Sequence, residues 1–481
     1  MSNCNGVISR TSFALPPAFA TKDVAQQLAE VFAPVKGTCL LYSGGDGDAA
    51  QRSILFLLPY DQIIVRGATT VHCHPDGTIL QQSCDSNPWD SLKNLMGPLD
   101  GGSQPEWVGY LGYEMGATAD ATVRSRYFAG KHPDALFQRC AVCVIFDYPA
   151  GTATVTITTP LAGSLGAEQM VMLESLRTVE GWLEALQDSS ELNAIDGSLS
   201  LKRPLEQVSS YCQKVHAVQE LIHSGDVYQV NVSQRCVVQG DANPYQIFSK
   251  LVDVNPAPFA AFLNLGEQMI VSSSPERFLC RQGNVLEARP IKGTIARGLS
   301  SEHDVIQRES LLASEKDRAE LLMITDLMRN DLGKVSEIGS VEVPELIRCE
   351  AYTNVFHLLS IVTSRVVADL HSIDIIRACF PAGSITGCPK LRAMEVIADI
   401  EKRRRGIYTG SIGYLCGNGD FDFNVAIRTL SCDASSIEVQ IGGAIVADSD
   451  APAEYDETLA KGESIFSVLG VCGGNGSCAG E

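Results

Sequence analysis

A lysine held between a proline and a glycine is the first candidate for chemistry in this sequence. Pro290 has a restricted φ angle and keeps the residue before it extended, whereas Gly293 lets the backbone turn or approach a ligand closely. Lys292 lies between them, with Glu276 upstream and Glu320 downstream. A lysine positioned in this way can act on a bound molecule, but a solvated lysine in a surface turn would show the same local pattern.

A second candidate lies near the C-terminal end, in a stretch that predicts a helix. Glu454, Glu457 and Lys461 are spaced three and four residues apart, so a helix places them on one face. Two carboxylates on one face suit a hard cation, and Mg²⁺ commonly takes one or two carboxylates together with substrate oxygens. The alternative is an ordinary Glu–Lys pair on the surface of a helix.

Residues suited to an anionic substrate occur between these two candidates. Residues 380–390 (FPAGSITGCPK) place Ser384 and Thr386 just before a predicted helix, whose first turn suits Pro389. Backbone N–H groups and hydroxyls at a helix N-terminus can bind a carboxylate, although ordinary capping would explain the same serine and threonine. Arg428 interrupts an apolar strand, and a buried arginine needs a carboxylate or an equivalent partner.

The flanking sequence predicts the elements that would position these residues. Up to about residue 80, short apolar segments alternate with Gly and Pro, which predicts several short strands. Apolar residues recur at helical spacing over residues 164–190 and 204–224, and an alternating strand pattern follows at 225–234. Residues 188–201 are polar and rich in turn formers, so we place a linker there.

Composition and charge argue against several classes of protein. The chain has 481 residues, of which 45% are hydrophobic and 20% charged, enough for one large composite core or two domains. A formal net charge of -20 argues against nucleic-acid binding, and we interpret the basic run at 402–405 as a helix end followed by Gly406. No apolar run reaches the roughly 18 residues that span a bilayer, so we expect no membrane segment.

The 16 cysteines are scattered through the chain, which opens without a basic segment followed by an apolar one. We therefore expect a reducing, cytoplasmic location. Cys140 and Cys143 lie in a strand-like apolar stretch without a second pair at zinc spacing, which indicates core thiols rather than metal ligands.

Five segments of the sequence together resemble the chorismate-utilising enzymes, and within them the component I subunits of aminodeoxychorismate synthase. The resemblance covers nearly the whole chain and is strongest from about residue 205 to 465. It implies an α+β fold with a large two-sheet β-sandwich flanked by helices. The segments that carry it are residues 107–114, 225–234, 290–294 (PIKGT), 317–333 and 380–390.

The resemblance also implies how the chain is divided. Residues 1–190 would form an N-terminal region like that of anthranilate synthase component I. Residues 204–467 would form the chorismate-binding catalytic domain. The glycine-rich residues 473–481 would be a flexible tail.

The resemblance further implies roles for the candidate residues. Lys292 would be the nucleophile and Glu276 the general acid. Magnesium would be bound by Glu320, Glu454 and Glu457. The residues that would contact the substrate are Ser384, Thr386, His357, Tyr408, Arg428, Ala444 and Lys461.

Within the substrate-binding set, Tyr408 and Arg428 would grip the enolpyruvyl carboxylate, His357 would lie against the ring, and Lys461 would meet a substrate carboxylate. From its apolar surroundings alone, His357 would be interpreted as a core histidine. Three positions depart from the family pattern: Leu321 replaces asparagine, Cys388 replaces alanine, and Ala444 replaces glycine. The last departure puts a close approach of the backbone to the substrate in question.

The function implied is amination of chorismate at C4, giving 4-amino-4-deoxychorismate for 4-aminobenzoate and folate synthesis. Lys292 decides between relatives, because component I of anthranilate synthase typically has alanine there and makes anthranilate and pyruvate; that reaction is the first alternative. The second is a non-catalytic sensor of chorismate or tryptophan. Residues 40–43 (LLYS) correspond to a segment where relatives hold tryptophan, although a strand edge with a capping serine explains them equally.

The amination needs a source of ammonia. The sequence has no Gly-x-Cys-x-Gly-x-Gln segment of a glutamine amidotransferase, and Cys472 lies without the right continuation. We therefore expect a separate glutaminase subunit as the partner, with free ammonium able to replace it in vitro.

Overall fold

The structure is a computed structural model that describes residues 7–45, 47–84, 87–99, 101–123, 128–188, 199–298 and 300–471. In these ranges the chain forms antiparallel strands and helices. The strands are β1 (Val7–Leu15), β2 (Cys39–Tyr42), β3 (Arg52–Arg66), β4 (Thr69–Cys73), β5 (Ile79–Ser83), β6 (Pro105–Leu111), β7 (Ala135–Asp147), β8 (Thr152–Pro160), β9 (Ser200–Arg203), β10 (Gln229–Gln239), β11 (Phe259–Asn264), β12 (Met269–Ser274), β13 (Arg277–Gln282), β14 (Val285–Arg289), β15 (Ile291–Ala296), β16 (Glu342–Ala351), β17 (Val355–Arg365), β18 (Gly387–Cys388), β19 (Ser411–Cys416), β20 (Phe421–Asn424), β21 (Thr429–Cys432) and β22 (Ser436–Ile445).

The helices lie mostly between strands. They are α1 (Lys22–Phe32), α2 (Pro88–Met96), α3 (Ala167–Ser175), α4 (Val179–Gln187), α5 (Val208–His223), α6 (Pro244–Val254), α7 (Ser301–Ala313), α8 (Glu315–Gly333), α9 (Ser372–Cys379), α10 (Lys390–Glu401) and α11 (Ala451–Leu469). Short 3₁₀ segments occur at Pro17–Phe19, Tyr113–Thr118 and Gly383–Ile385. Among the described helices, none is long and apolar enough to cross a membrane.

Local chemistry explains where the helices that carry the site begin and end. The Ser314 side chain accepts a hydrogen bond from the Asp317 amide at the start of α8, and Asp450 caps α11 in the same way. Gly470 ends α11 in the left-handed conformation that glycine adopts without strain. These caps fix the first turns of α8 and α11, which carry or precede the predicted metal-binding glutamates.

The strands join into one hydrogen-bonded system that includes both halves of the sequence. Strands β2 and β6 from the N-terminal half pair with β11 and β19 from the C-terminal half. In the C-terminal half, β10 pairs with β22 over ten residues, and β17 pairs with β14, β15 and β16. The predicted N-terminal region and the predicted catalytic domain therefore share one sheet system.

The apolar residues divide into layers. One cluster is made almost entirely of strand residues, from β2, β3, β6, β7, β11, β12 and β19. Two larger clusters pack helices on strands: one includes α2, α5, α8, α9 and α10, the other α1, α4, α6 and α11. Strand faces therefore pack on each other while helices cover the outside, which confirms the α+β sandwich flanked by helices.

Several predicted boundaries move. The helical pattern at 164–190 corresponds to two helices, α3 and α4, and the pattern at 204–224 to α5. The predicted linker lies mostly outside the described residues, but its last positions belong to β9, which pairs with β10. The predicted tail, 473–481, lies wholly outside the described residues.

The basic run at 402–405 does not simply complement the end of a helix. Helix α10 ends at Glu401, and Lys402 caps it with a φ angle of +51°. Arg404 and Arg405 continue beyond the helix and are held by buried carboxylates instead of helix-end carbonyls. The predicted helix end is correct in place, but its cations have a tertiary role.

Candidate active site

Lys292 is the second residue of β15, and its Nζ donates a hydrogen bond to the carbonyl oxygen of Ser384 at 3.3 Å. The side chain is half-buried. Burial lowers the pKa of Lys292, and the positive charge of Lys461 lowers it further. The negative charge of Glu320 acts in the opposite direction but does not cancel the effect of burial. The neutral amine, which is the nucleophilic form, is therefore easier to reach than in a solvated lysine. The structure removes the interpretation of a surface-turn lysine.

Gly293 allows β15 to run close to α8. Its φ angle is +76°, and a Cβ added there would lie 3.0 Å from the Cβ of Asp317. A side chain at this position would therefore combine backbone strain with a contact tighter than usual. The glycine brings the lysine strand against the helix that carries Glu320.

Glu276 follows β12 and is only 4% exposed. Burial raises its pKa to about 7, although Ser384 and Lys292 oppose the shift. A substantial fraction of this carboxyl group is thus protonated near neutral pH, as a general acid requires. Glu276 and Lys292 are near enough to influence each other's pKa, and both lie beside Ser384.

The three predicted metal-binding glutamates differ in their surroundings. Glu454, on α11, is buried, and its Oε1 accepts a hydrogen bond of 2.6 Å from Ser449. Glu320, on α8, is half-buried. Burial raises the pKa of both. Glu457 is exposed and lies 2.6 Å from Lys461, as the helical spacing predicted.

Cations lie among these carboxylates. Burial would raise the pKa of Glu457, but Lys461, Lys316 and Lys292 outweigh it and hold that pKa below its ordinary value. Lys316, in the first turn of α8, also lies 3.8 Å from Glu454 Oε1. The sequence analysis did not single out Lys316, whose position one turn before Glu320 was the available signal.

The residues fit a hard cation. In the described part of the chain, no three acidic, histidine or cysteine side chains stand in metal-binding geometry. Yet Glu454 Oε2 is buried and has no hydrogen-bond partner among the described residues, and a buried carboxylate oxygen needs one. A divalent cation bound by oxygen ligands would supply it, with Glu320 and Glu457 as further donors.

Arg428 was predicted to bind a carboxylate of the substrate. Arg428 has a φ angle of +50° and donates a hydrogen bond of 3.2 Å to Asn255 Oδ1. Burial lowers the pKa of its guanidinium. In the described part of the chain, no carboxylate lies within ion-pair distance of Arg428, and a buried guanidinium needs an anionic partner.

His357 is buried beside Arg428, and the two line one narrow cavity with Tyr352 and Pro275. Its Nδ1 lies 2.8 Å from the Thr294 hydroxyl. Burial and the Arg428 charge lower its pKa to about 3, so the imidazole is neutral. Its Nε2 is buried without a hydrogen-bond partner among the residues described, which distinguishes it from a satisfied core histidine.

Ser384 and Thr386 belong to a short loop before α10 that we call the 383–386 loop. Neither caps α10, because the residue at its N-cap is Pro389 and no side chain accepts there. The Thr386 hydroxyl donates to the Ala382 carbonyl at 3.0 Å. The Thr386 carbonyl accepts from the Asn231 amide at 2.8 Å. The capping interpretation is therefore wrong, and the loop presents Ser384 to Glu276 and Lys292.

Ala444 belongs to β22, and the Tyr408 hydroxyl lies close to the same strand at Gly442. Burial raises the pKa of Tyr408 to about 12, so its hydroxyl remains a donor. A Cβ on Gly442 would lie 2.8 Å from that hydroxyl, and one on Gly443 would lie 3.4 Å from Glu454 Oε2. Ala444 pairs with Asn231 across the ladder. The close approaches of the β22 backbone to Tyr408 and Glu454 therefore occur at Gly442 and Gly443, and Ala444 is the next residue along the strand.

The geometry agrees with a comparison of the sequence with known families. The profile described as chorismate binding enzyme matches residues 39–467. The chain belongs to this family. Its residues 39–467 include every candidate site residue named above.

Individual members of the family are similar over different lengths. Aminodeoxychorismate synthase component 1 of Klebsiella aerogenes is 46% identical over 289 residues, 60% of this chain and 63% of that relative. Anthranilate synthase component 1 of Pseudomonas aeruginosa is 36% identical over 372 residues, 75% of this chain and 74% of that relative. The crystal structure of anthranilate synthase component I from Streptococcus pneumoniae TIGR4 has a TM-score of 0.71 at 28% identity, covering 88% of this chain and 93% of that one.

The matched segments span 53–63% of the first aminodeoxychorismate synthase component 1 relatives. Membership of the chorismate binding enzymes therefore rests on the profile match and on the fold, whereas the particular reaction must be argued from the site.

The structure brings the site residues of this family member into two groups. Lys292 is the centre of the first group. It donates a hydrogen bond to Ser384, and its pKa responds to the charges of Glu276, Glu320, Glu457 and Lys461. His357 and Arg428 form the second group, joined to the first through Thr294 on the lysine strand. Glu350 lies opposite His357 on the β16–β17 ladder. That carboxylate pairs instead with Arg348 at 3.0 Å and with the Tyr352 hydroxyl at 3.2 Å.

Proposed function

We propose that the protein aminates chorismate at C4, giving 4-amino-4-deoxychorismate. The observation that carries the proposal is the half-buried lysine of lowered pKa next to a buried glutamate of raised pKa, Lys292 beside Glu276. A nucleophile and a proton donor thus lie close together, and Arg428 has no anionic partner among the described residues. The relatives named aminodeoxychorismate synthase component 1 support the same reaction.

In the first step, the neutral amine of Lys292 forms a bond to C2 of chorismate, the two conjugated ring double bonds move to C1=C6 and C4=C5, and the C4–O bond breaks. Glu276 donates its proton to the departing hydroxyl, which leaves as water. In the second step, ammonia forms a bond to C4, the two double bonds return to C5=C6 and C1=C2, and the C2–N bond to Lys292 breaks. The lysine and the glutamate then exchange the surplus proton with the aminated product and solvent.

The two carboxylates of chorismate fix its orientation. Arg428 and Tyr408 bind the enolpyruvyl carboxylate, since a buried guanidinium and a protonated phenol are both donors. His357 lies against the ring as a neutral imidazole. Lys461 meets the ring carboxylate from the exposed side.

Mg²⁺ would be held by Glu320, Glu454 and Glu457, and when bound it offsets the charge of the ring carboxylate and acts as a template for it. The buried, unpartnered oxygen of Glu454 supports this assignment. The lysines among the glutamates partly offset the negative charge of the carboxylates before the ion binds.

Ammonia comes from a separate glutamine amidotransferase subunit. The name component 1 of the relatives supports a partner of this kind. We further propose a cytoplasmic location, supported by the free thiols of the cysteines in the described residues. Tryptophan binding near residues 40–43 stays a prediction; Ser43 there donates to the Pro258 carbonyl at 3.1 Å.

Anthranilate synthesis is the second candidate, favoured by the relative from P. aeruginosa, which matches three quarters of the chain. In that reaction ammonia would approach C2, where Lys292 is positioned. A sensor without catalysis would have no use for a lysine and a glutamate of shifted pKa in contact with one loop.

The test is the product of the purified chain with chorismate, Mg²⁺ and an ammonium salt. We expect an aminated product that keeps its enolpyruvyl group, identified by mass, with no pyruvate released. Anthranilate with an equal amount of pyruvate would replace the proposed reaction by the second candidate. Binding of chorismate without turnover would indicate the non-catalytic sensor instead of either enzyme.

A further inference from the structure

Arg405 is among the largest fully buried side chains of the described residues, with 1% of its surface exposed. It touches none of the residues assigned to Mg²⁺. Its Nε and one terminal nitrogen pair with the two oxygens of Glu401, at 3.1 and 2.7 Å. Such a two-point ion pair fixes the plane of the guanidinium.

The remaining donors of Arg405 reach parts of the chain that carry the site. One terminal nitrogen donates to the Ile385 carbonyl at 3.1 Å and to the Thr409 hydroxyl at 3.3 Å. The other also donates to the Asn231 carbonyl at 2.9 Å. All five N–H groups of the guanidinium therefore have acceptors.

These acceptors lie next to candidate substrate contacts. Ile385 is between Ser384 and Thr386 in the 383–386 loop, and the carbonyl just before it accepts from Lys292. The loop is thus held at two consecutive carbonyls, by Lys292 from inside the site and by Arg405 from outside it. Asn231 pairs with Ala444 across β10 and β22.

Tyr408 is held from the same group. The Arg405 guanidinium lies 5.8 Å from the centre of the Tyr408 ring and 4.8 Å from the centre of the Tyr113 ring. Thr409, which accepts from Arg405, donates to the Tyr408 carbonyl at 2.6 Å. The ring that faces the substrate carboxylate is therefore placed by contacts that do not involve substrate.

We propose that Arg405 is a positioning residue for chorismate: held by Glu401, it sets the places of the 383–386 loop and of Tyr408. This inference rests on the proposed binding of chorismate at that site. Arg405 acts through Ile385, Thr409 and the Tyr408 ring, and it has no contact with the reacting atoms.

The experiment compares Arg405→Lys with Arg139→Lys in the full-length chain. Arg139 is a matched control: it is mostly buried, pairs with Asp61, and has its guanidinium 4.8 Å from the Trp107 ring, far from the site in sequence and on β7. Lysine keeps each charge but reaches fewer acceptors. Both variants should lose thermal stability.

For Arg405→Lys we expect kcat/KM for chorismate to fall on the order of 100-fold, as a misplacement of about 1 Å in a binding group can cause. The larger part should appear as a rise in KM, because Tyr408 is a substrate contact. The Mg²⁺ concentration for half-saturation should stay unchanged. Arg139→Lys should change neither quantity. Equal losses of kcat/KM in the two variants, or a parallel shift of the Mg²⁺ dependence, would show a merely structural role and overturn the inference.

A milder variant covers the case in which Arg405→Lys does not fold. Thr409→Val removes one acceptor of Arg405 and one donor to Tyr408, while the Glu401 pair remains. A raised KM with an unchanged unfolding midpoint supports positioning, and an unchanged KM overturns it.

The same measurements separate this inference from the proposed function. Consumption of chorismate can be followed whichever product forms, so anthranilate production by the unaltered chain would overturn the amination alone. Should the chain not turn over, chorismate Kd by calorimetry replaces KM in each comparison, and a Kd insensitive to Arg405→Lys overturns the positioning role.

Discussion

Two groups of charges hold the same loop at consecutive carbonyls and differ in how completely their hydrogen-bonding groups are satisfied. The lysine cluster consists of Lys292, Glu276, Glu320, Glu457 and Lys461. Its members are partly exposed or have shifted pKa values, and the adjacent Glu454 keeps a buried oxygen without a partner.

The arginine cluster consists of Arg405, Glu401, Asn231, Ile385 and Thr409. Every donor of its guanidinium has an acceptor, and Arg403 and Ser233 also bond to its glutamate or lie near it. Burial alone would raise the pKa of Glu401, but Arg405 and Arg403 lower it to about 2. The contrast indicates that the lysine cluster awaits ligands for its missing partners, whereas the arginine cluster is complete without them.

The largest expected effect breaks the lysine cluster at its nucleophile. Lys292→Ala should lower C4 amination by about 1000-fold or more at neutral pH, because the covalent step is lost. Its unfolding midpoint should change little, since few fixed contacts depend on Lys292. Lys292→Arg is the matched control: it keeps the cation but stays protonated, so it should be as inactive as the alanine variant. Amination at the full rate in either variant would remove the lysine from the covalent role.

The second prediction breaks the arginine cluster. Glu401→Leu leaves Arg405 buried without its counter-charge and should lower the free energy of unfolding by about 3 to 5 kcal/mol in urea denaturation. The direction in which this contribution to stability changes with pH follows from the low pKa of Glu401. Its contribution is complete above the unfolded value of 4.5 and is lost as pH falls towards about 2, an effect of about 3 kcal/mol.

The unaltered chain should therefore lose more stability between pH 4.5 and 2 than Glu401→Leu does. Parallel stability curves for the two proteins over this range would contradict the ion pair as the source of the difference.

The same contrast explains what the sequence could predict. The constraint on the backbone at Lys292 was predictable, because Pro290 and Gly293 limit or widen the local φ angles, and Gly293 has a φ angle of +76°. Helical spacing also placed Glu454, Glu457 and Lys461 on one helix, and the Glu457–Lys461 pair is present. Spacing could not show that Glu454 is buried while Glu457 is exposed, since the packing of α11 against other elements decides this.

Arg405 was hidden in a basic run that fits a helix end. Its burial needs β10, the 383–386 loop and the end of α10 to meet, and these segments are far apart in sequence. The one local signal was Glu401, four residues earlier, at the spacing of an ion pair within a helix. That signal occurs on many exposed helices and so could not identify a buried pair.

The third prediction sharpens the contrast at the metal. Glu454→Gln should raise the Mg²⁺ concentration for half-saturation on the order of 100-fold, because one carboxylate ligand becomes a weaker amide donor. Asp456→Asn is the control, since Asp456 lies on the same helix with its side chain exposed. Calorimetry of Mg²⁺ binding gives the result independently of turnover. An equal Mg²⁺ affinity in the Gln variant and the unaltered chain would exclude Glu454 as a ligand.

The fourth prediction concerns the protonation of Glu276 within the lysine cluster. Burial raises the pKa of Glu276 to about 7, and the general acid must carry its proton, so its active fraction is complete below that pH and falls above it. Lys292 must also be neutral to act, and its ionisation is shared by the unaltered chain and Glu276→Gln. The ratio of kcat/KM for the unaltered chain to that for Glu276→Gln should therefore fall about ten-fold per pH unit above about 7. The arginine cluster predicts no such limb, because its glutamate stays ionised throughout this range. Measuring kcat/KM with ammonia held constant as the free base isolates Glu276 from the ionisation of ammonium. A ratio that stays constant through pH 7 to 8 would assign the proton transfer to another group, because Glu276→Gln has no carboxyl group to titrate.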